Sequence, residues 1–272
     1  MSVERPTTAL EVDDLAKAYG ETVALAGLSF EVSHGEVVAL LGPNGAGKTT
    51  AMRCIAGVLA PDAGRISIVD AEAGSPQAQA AVSYLPEHPE LYPGLSVAEH
   101  LRFVALAHRL EGWEPQADEL LTRFQLADRA DDLPGELSQG MRRKTALSMA
   151  LLHGAQVFLL DEPFNGLDPH AAAELRDVIT GLAEDGAAVL VSTHGLAVAE
   201  RIAARSVVMS SGRVMAEGST SRLRKLAGTA DDADLEAVFL ALTAGDATGD
   251  PDLVEDPTAG PSQVPPGPTD AP

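Results

Sequence analysis

Eight residues constrain this chain more than any others. Gly42-Pro43-Asn44-Gly45-Ala46-Gly47-Lys48-Thr49 match G-x-x-x-x-G-K-[ST]. They follow Val37-Val38-Ala39-Leu40-Leu41, an apolar run suited to a strand buried on both faces, and precede a helical stretch closing near Gly57. Glycines let backbone N–H groups turn inward around an anion, and the helix start adds its positive end. Lys48 can reach the β- and γ-phosphates of a bound triphosphate, and the Thr49 hydroxyl can ligate Mg²⁺. A chance match in this length is on the order of one in a hundred, and the flanking strand and helix lower that further.

A second buried strand, Val157-Phe158-Leu159-Leu160, ends in Asp161 and Glu162 and is stopped by Pro163. Adjacent acids at the tip of an apolar strand are costly unless a cation or polar cleft receives them. With a phosphate loop upstream, we expect Asp161 to hold the metal beside the first strand's loop. Glu162 should point to the opposite side of the strand end, as a general base.

The rest of the chain alternates strands and helices around these two points. Pro61-Asp62-Ala63-Gly64 is turn chemistry. Ser96-Val97-Ala98-Glu99 is a capping box opening a helix towards Leu110, and further helices run from about Pro115 to Leu126 and after Ser138. Asp168-Pro169 is an N-cap with a first-turn proline, followed by Leu175, Val178, Ile179 and Leu182 on one helical face. Residues 187–191 are strand, Ser211-Gly212 is a hairpin turn, and Leu235, Val238, Phe239 and Leu242 form a small docking stripe. The layout is α/β with a parallel core sheet, into which helices of about residues 95–155 are inserted.

Charge and composition narrow the function. Lys+Arg 19 against Asp+Glu 40 leave a formal charge of −21, a poor balance for general nucleic-acid binding, which depends on neutralising phosphates. A hydrophobic fraction of 45% excludes wholesale disorder. One cysteine, Cys54, allows no internal disulfide and reads as packing. No apolar run approaches the ~18 residues of a bilayer span, and MSVERPTTALEVDD lacks the apolar stretch of a signal peptide. We therefore expect a soluble, cytoplasmic protein. From residue 244 to 272 the chain has six acids, seven prolines and no Lys or Arg, and reads as a disordered tail.

At this point the sequence resembles the ATP-binding cassette ATPases, over roughly residues 8–243. The diagnostic residues are Leu137-Ser138-Gln139-Gly140-Met141, which look like the family's signature LSGGQ. Tyr19 sits where the family stacks an aromatic ring on adenine, and Pro86-Glu87 falls at its glutamine-loop position. Asn165-Gly166-Leu167-Asp168 resembles the dimer-contact loop, and Ser192-Thr193-His194 the switch histidine. The resemblance implies a P-loop NTPase core with a small antiparallel β subdomain and an inserted helical subdomain. It also implies a nucleotide-binding set of Tyr19, Gly42, Pro43, Asn44, Gly45, Ala46, Gly47, Lys48, Thr49 and Thr50, with Ser138 and Gly140 serving the γ-phosphate held by a second cassette. Thr49, Asp161 and Glu87 become the metal side, Glu162 and His194 the catalytic pair, and Asp168 a dimer contact. Glu87 and Met141 depart from the family's usual glutamines, the first adding a carboxylate near the metal and the second removing one polar contact.

The expected function is ATP hydrolysis, with ATP and Mg²⁺, coupled to export through a separately encoded permease on the inner face of the membrane. Tyr84-Leu85-Pro86-Glu87 and Asp234-Leu235-Glu236-Ala237-Val238-Phe239-Leu240 resemble cassettes of bacterial drug, antibiotic and polymer exporters. The partners are that permease and a second cassette, either another copy or a paralogue. A soluble cassette ATPase acting on DNA or ribosomes is the rival. It typically has two cassettes, a long coiled-coil insertion or zinc-binding cysteines, and the small cluster Arg142-Arg143-Lys144 reads instead as a solvated helix face. A non-hydrolytic nucleotide sensor is disfavoured by Glu162.

Overall fold

The computed structural model describes residues 7–243, so the acidic, proline-rich segment 244–272 lies outside the described residues. In chain order the strands are β1 (Thr8–Tyr19), β2 (Thr22–Ser33), β3 (Val37–Leu41), β4 (Ala63–Ile68), β5 (Ala71–Glu72), β6 (Val82–Leu85), β7 (Val157–Asp161), β8 (Ala188–Thr193), β9 (Arg205–Ser210) and β10 (Arg213–Gly218). The helices are α1 (Lys48–Ile55), α2 (Pro76–Ala81), α3 (Val97–His108), α4 (Glu114–Arg123), α5 (Gln139–Leu152), α6 (Pro169–Glu184), α7 (Leu196–Ile202), α8 (Thr220–Ala227) and α9 (Leu235–Thr243).

Two sheets result. The larger has the order β10-β9-β3-β8-β7-β6, parallel throughout except where β10 pairs antiparallel with β9. Strands β3, β7 and β8 are buried at every residue, as unbroken apolar runs require of a sheet covered on both faces. Alternation divides the side chains of β7 and β8 between two cores, while Ala39 and Leu41 of β3 join a third, with Ala199, Leu223, Leu235 and Val238. Val157 and Leu159 join the cluster beneath α1 and the smaller sheet, while Phe158 and Leu160 face the cluster built by α3, α4 and α5. The smaller sheet, β2-β1-β4-β5, is antiparallel.

Between β6 and β7 the chain is helical apart from its connections. Leu101, Leu120, Phe124, Leu147 and Leu151 bury the inner faces of α3, α4 and α5, each contributing about 1.5–3 kcal/mol relative to exposure. His100 braces this unit: its Nδ1 bonds Ser96 O at 2.7 Å and its Nε2 accepts the Tyr92 N–H at 2.9 Å. At the far ends of α3 and α5, the rings of His108 and His153 lie 3.7 Å apart between centroids.

Three local expectations change. The turn at Pro61 and Asp62 is shorter than its residues suggest, because Ala63 and Gly64 already belong to β4, paired with β1. Strand β8 lies between β3 and β7, so Asp161 does not stand directly beside the strand that leads into the phosphate loop. Of the Arg142–Lys144 stretch, only Arg142 is an exposed, solvated residue. Arg143 is buried, and Lys144 is largely covered while pairing with Asp168 at 3.2 Å.

Candidate functional site

The phosphate loop connects β3 to α1 at the C-terminal edge of the parallel sheet, where strand ends leave a crevice. Gly47 adopts φ 101°, and a Cβ there would stand 2.4 Å from Ala24 O, so only glycine fits. Among the described residues no side chain caps α1, and no acid occupies its first turn, which leaves its positive end open to an anion. Lys48, itself buried, donates from Nζ to Gly42 O at 2.7 Å and Pro43 O at 3.2 Å. Burial holds its pKa below the ordinary lysine value. The β9–β10 turn braces the loop from behind: Gly212 N–H donates to Ala46 O at 3.1 Å, and Gly212 O accepts from Ala26 N–H at 2.9 Å.

Asp161 and Glu162 occupy the end of β7, with β8 beside them. Asp161 is fully buried; its Oδ1 accepts from the Ser192 hydroxyl, while its Oδ2 has no hydrogen-bond partner among the described residues. A buried carboxylate oxygen without a donor is costly, and a cation is the group that relieves it. Among the described residues no three His, Cys, Asp or Glu side chains converge as a metal cage. The one unpartnered carboxylate oxygen of Asp161 suits Mg²⁺, which binds through one or two carboxylates together with phosphates and water.

Glu162 has φ 48°, an uncommon left-handed conformation for a residue with a side chain. Its N–H is held by Ser192, lying 3.0 Å from the hydroxyl and 3.1 Å from the carbonyl. Its Oε2 lies 2.9 Å from His194 Nδ1. His194 is mostly exposed, and with Glu162, Glu87 and the loop from Pro43 to Thr50 it lines one pocket, closed on another side by Thr22, Val23 and Ala24. Tyr19 lies at the end of β1, half exposed and outside that lining, just before the hairpin leading to these three residues.

Ser138 and Gly140 are elsewhere. Ser138 caps α5 by accepting the Met141 N–H at 3.2 Å, and it is exposed. A Cβ on Gly140 would lie 3.5 Å from Gly166 O. Neither residue lines the phosphate pocket. Asp168 caps α6 through Oδ1, accepting from His170 N at 3.0 Å and Ala171 N at 2.9 Å, while its Oδ2 pairs with Lys144. The Ala171 N–H first, and then Lys144, hold its carboxyl below the usual aspartate value. The residues expected at the site therefore fall into two groups: those in or beside the phosphate pocket with its acids, and Ser138, Gly140 and Asp168, which lie outside that pocket's lining.

Two residues in this arrangement escape a reading from sequence. Ser192 grips both Asp161 and Glu162; its place at the tip of β8 was the available signal. Arg143 reaches three main-chain carbonyls, and its charged neighbours in sequence gave no hint of burial. Cys54 is buried, and burial pushes its thiol up to about 11, as for a packing residue.

The family model described as ABC transporter matches residues 25–165. The daunorubicin resistance ATP-binding protein DrrA3 of Streptomyces coeruleorubidus is 39% identical over 225 residues, covering 81% of this chain and 71% of that protein. The ABC-type transporter ATP-binding protein EcsA of Bacillus subtilis (strain 168) is 37% identical over 242 residues, 88% of this chain and 98% of that one. A solved ATP-binding subunit of an ABC transporter superposes with a TM-score of 0.83 at 37% identity, covering 87% of this chain and all of the other. With the phosphate loop, the strand-end acids and the signature-like start of α5 already in place, the chain belongs to the ATP-binding subunits of ABC transporters, a family that hydrolyses ATP.

Proposed function

We propose that this chain powers export of a substrate through a separately encoded membrane permease, working in a head-to-tail pair of cassettes with two ATP molecules between them. The separation of Ser138 and Gly140 from the phosphate pocket carries the reading. A helix start with an exposed hydroxyl and a glycine, but no lysine of its own, is half of an anion site. A second cassette completes it, with Asp168 at the contact.

Within one pocket, Lys48 exchanges its bonds to Gly42 O and Pro43 O for the β- and γ-phosphates, and the backbone N–H groups of residues 44–50 cradle them. Tyr19 stacks on the adenine. Thr49 and Asp161 Oδ2, which has no partner among the described residues, would hold Mg²⁺ together with Glu87, and the ion would supply neutralisation of developing phosphate charge. Glu162 orients water and takes its proton, and His194, bonded to Glu162, steadies the charge that develops on the γ-phosphate. The strained main chain of Glu162 suits a group held in advance of the reaction.

Among the described residues, no helix is long and apolar enough to cross a membrane. Attachment to the membrane's inner face then runs through the permease, whose cytoplasmic loops concentrate Lys and Arg and complement a charge of −21. Relatives point towards export: one is named for daunorubicin resistance, and the Nod factor export ATP-binding protein I of Paraburkholderia xenovorans is 38% identical over 226 residues. The reading is tested by Glu162→Gln. ATP binding should persist while turnover falls by about 10²–10⁴-fold, the usual scale for a positioned base. Near wild-type turnover would remove Glu162 from the role. Co-purification from membranes, with ATPase activity measured with and without the permease, tests the coupling.

A further inference from the structure

Helix α5 begins at Ser138 and carries, about 7.5 Å further along its axis, a buried arginine with no carboxylate partner among the described residues. Arg143 donates from Nε to Pro163 O at 3.2 Å, from Nη1 to Glu87 O at 2.7 Å, and from Nη2 to Glu162 O. A buried guanidinium is costly where its donors are unmet, and here main-chain carbonyls of two separate segments accept from Nε, Nη1 and Nη2. Both segments belong to the nucleotide pocket, since Glu87 and Glu162 line it.

The effect on Glu162 is specific. Its left-handed main chain is pinned on the N–H side by Ser192 of β8 and on the carbonyl side by Arg143 of α5. A sparsely populated conformation persists only where its surroundings over-determine it. Remove one of the two anchors and the peptide is free to relax, carrying the carboxylate away from its position against His194. The planar fork of arginine holds several acceptors in one geometry, which the single ammonium of lysine cannot.

We propose that Arg143 is a positioning residue linking the two parts of the site through one rigid helix. When Ser138 seats on the triphosphate held by the second cassette, α5 is fixed, and its guanidinium fixes the main chain of this chain's own Glu162 together with the Glu87 segment. Nucleotide in one pocket thereby arms the hydrolytic group of the other. Such coupling needs α5 to meet Glu162 differently in the seated and unseated states, and the three carbonyl contacts supply the connection. The inference rests on the preceding reading and deepens it, because it says how the cassettes in a pair sense each other.

The test uses the full-length chain with ATP and Mg²⁺, measuring turnover against ATP concentration and binding of a fluorescent ATP analogue. Arg143→Gln should lower kcat by about 10–10²-fold, the scale of a misplaced reacting group, with the dissociation constant changed less than about twofold. Arg143→Lys, which keeps the charge, should fold as the wild type does, lose part of kcat, and bring the Hill coefficient of turnover down towards one. In the Glu162→Gln background either substitution should change the residual rate by less than about twofold, since the group it positions is gone. Wild-type kcat and Hill coefficient in Arg143→Lys would overturn the inference. So would equal losses in both backgrounds, which would mark a merely structural residue. Full turnover in Glu162→Gln alone would instead overturn the reading beneath it.

Discussion

Helices α1 and α3 begin in opposite ways. At α3 the Ser96 hydroxyl accepts the Glu99 N–H at 3.3 Å and the Glu99 carboxylate accepts the Ser96 N–H at 2.8 Å. The Val97 and Ala98 N–H groups go to the carbonyls of Asp132 and Ala130, so the start of α3 is closed from within the chain. At α1 no side chain among the described residues closes it: the cap is Gly47, and the first turn has no acid. A helix start that the fold satisfies serves the fold, whereas one left open at the mouth of a pocket awaits an anion. Helix α5 is intermediate, with a serine cap but no first-turn acid and an exposed edge. That likeness to α1 supports the proposal that the start of α5 is half of a site.

Deleting the same hydroxyl at two caps tests this contrast directly. Ser138→Ala should lower ATP turnover by about 10²-fold, the scale of one lost transition-state donor, with nucleotide binding retained in a filter or fluorescence assay. If turnover survives, the start of α5 is structural and the comparison breaks. The opposite end of the helical unit offers a pH test. Burial, and then the neighbouring His108, lower the His153 pKa to about 4. An unfolded chain protonates that histidine near its ordinary value of about 6.5, so between roughly pH 6.5 and 4 the unfolded state binds more protons. Stability should therefore be full above pH 6.5 and fall as pH drops through that window. His153→Gln should flatten the slope of the urea midpoint between pH 7 and 5. Some slope should remain, since burial also lowers the pKa of His108. The smallest effect is expected from Ser96→Ala. It should cost about 1 kcal/mol, lower the melting temperature by about 2–4 °C, and leave turnover unchanged.

What could be read from the sequence shares one property: it is local. The strand–loop–helix around Lys48, the capping box at Ser96 and the Asp168-Pro169 helix start each depend on residues within a few positions of one another. The acids at the end of β7 were legible because a charged pair terminating an apolar run is itself a local anomaly. The long hairpin of β1 and β2 had no such mark, and its register shifts blur the alternation that would reveal it. Arg143 misleads for the same reason. Beside Arg142 and Lys144 it reads as a surface charge, and only the approach of residues 20 and 56 positions away makes it a buried clasp.

The sequence alone determined the chemistry available to this protein: a glycine loop with one lysine, two acids on a strand tip, and a serine-capped helix start without a lysine of its own. These follow from backbone conformational preferences and short-range hydrogen bonding, which act over a few residues. Tertiary structure decided how those parts meet. It placed β8 between β3 and β7 so that Ser192 grips both acids, left Asp161 Oδ2 without a partner among the described residues, and set the start of α5 outside the phosphate pocket. Strand order and buried polar partners are settled by packing across the whole core, where each carbonyl or carboxylate takes the donor that the completed fold brings to it.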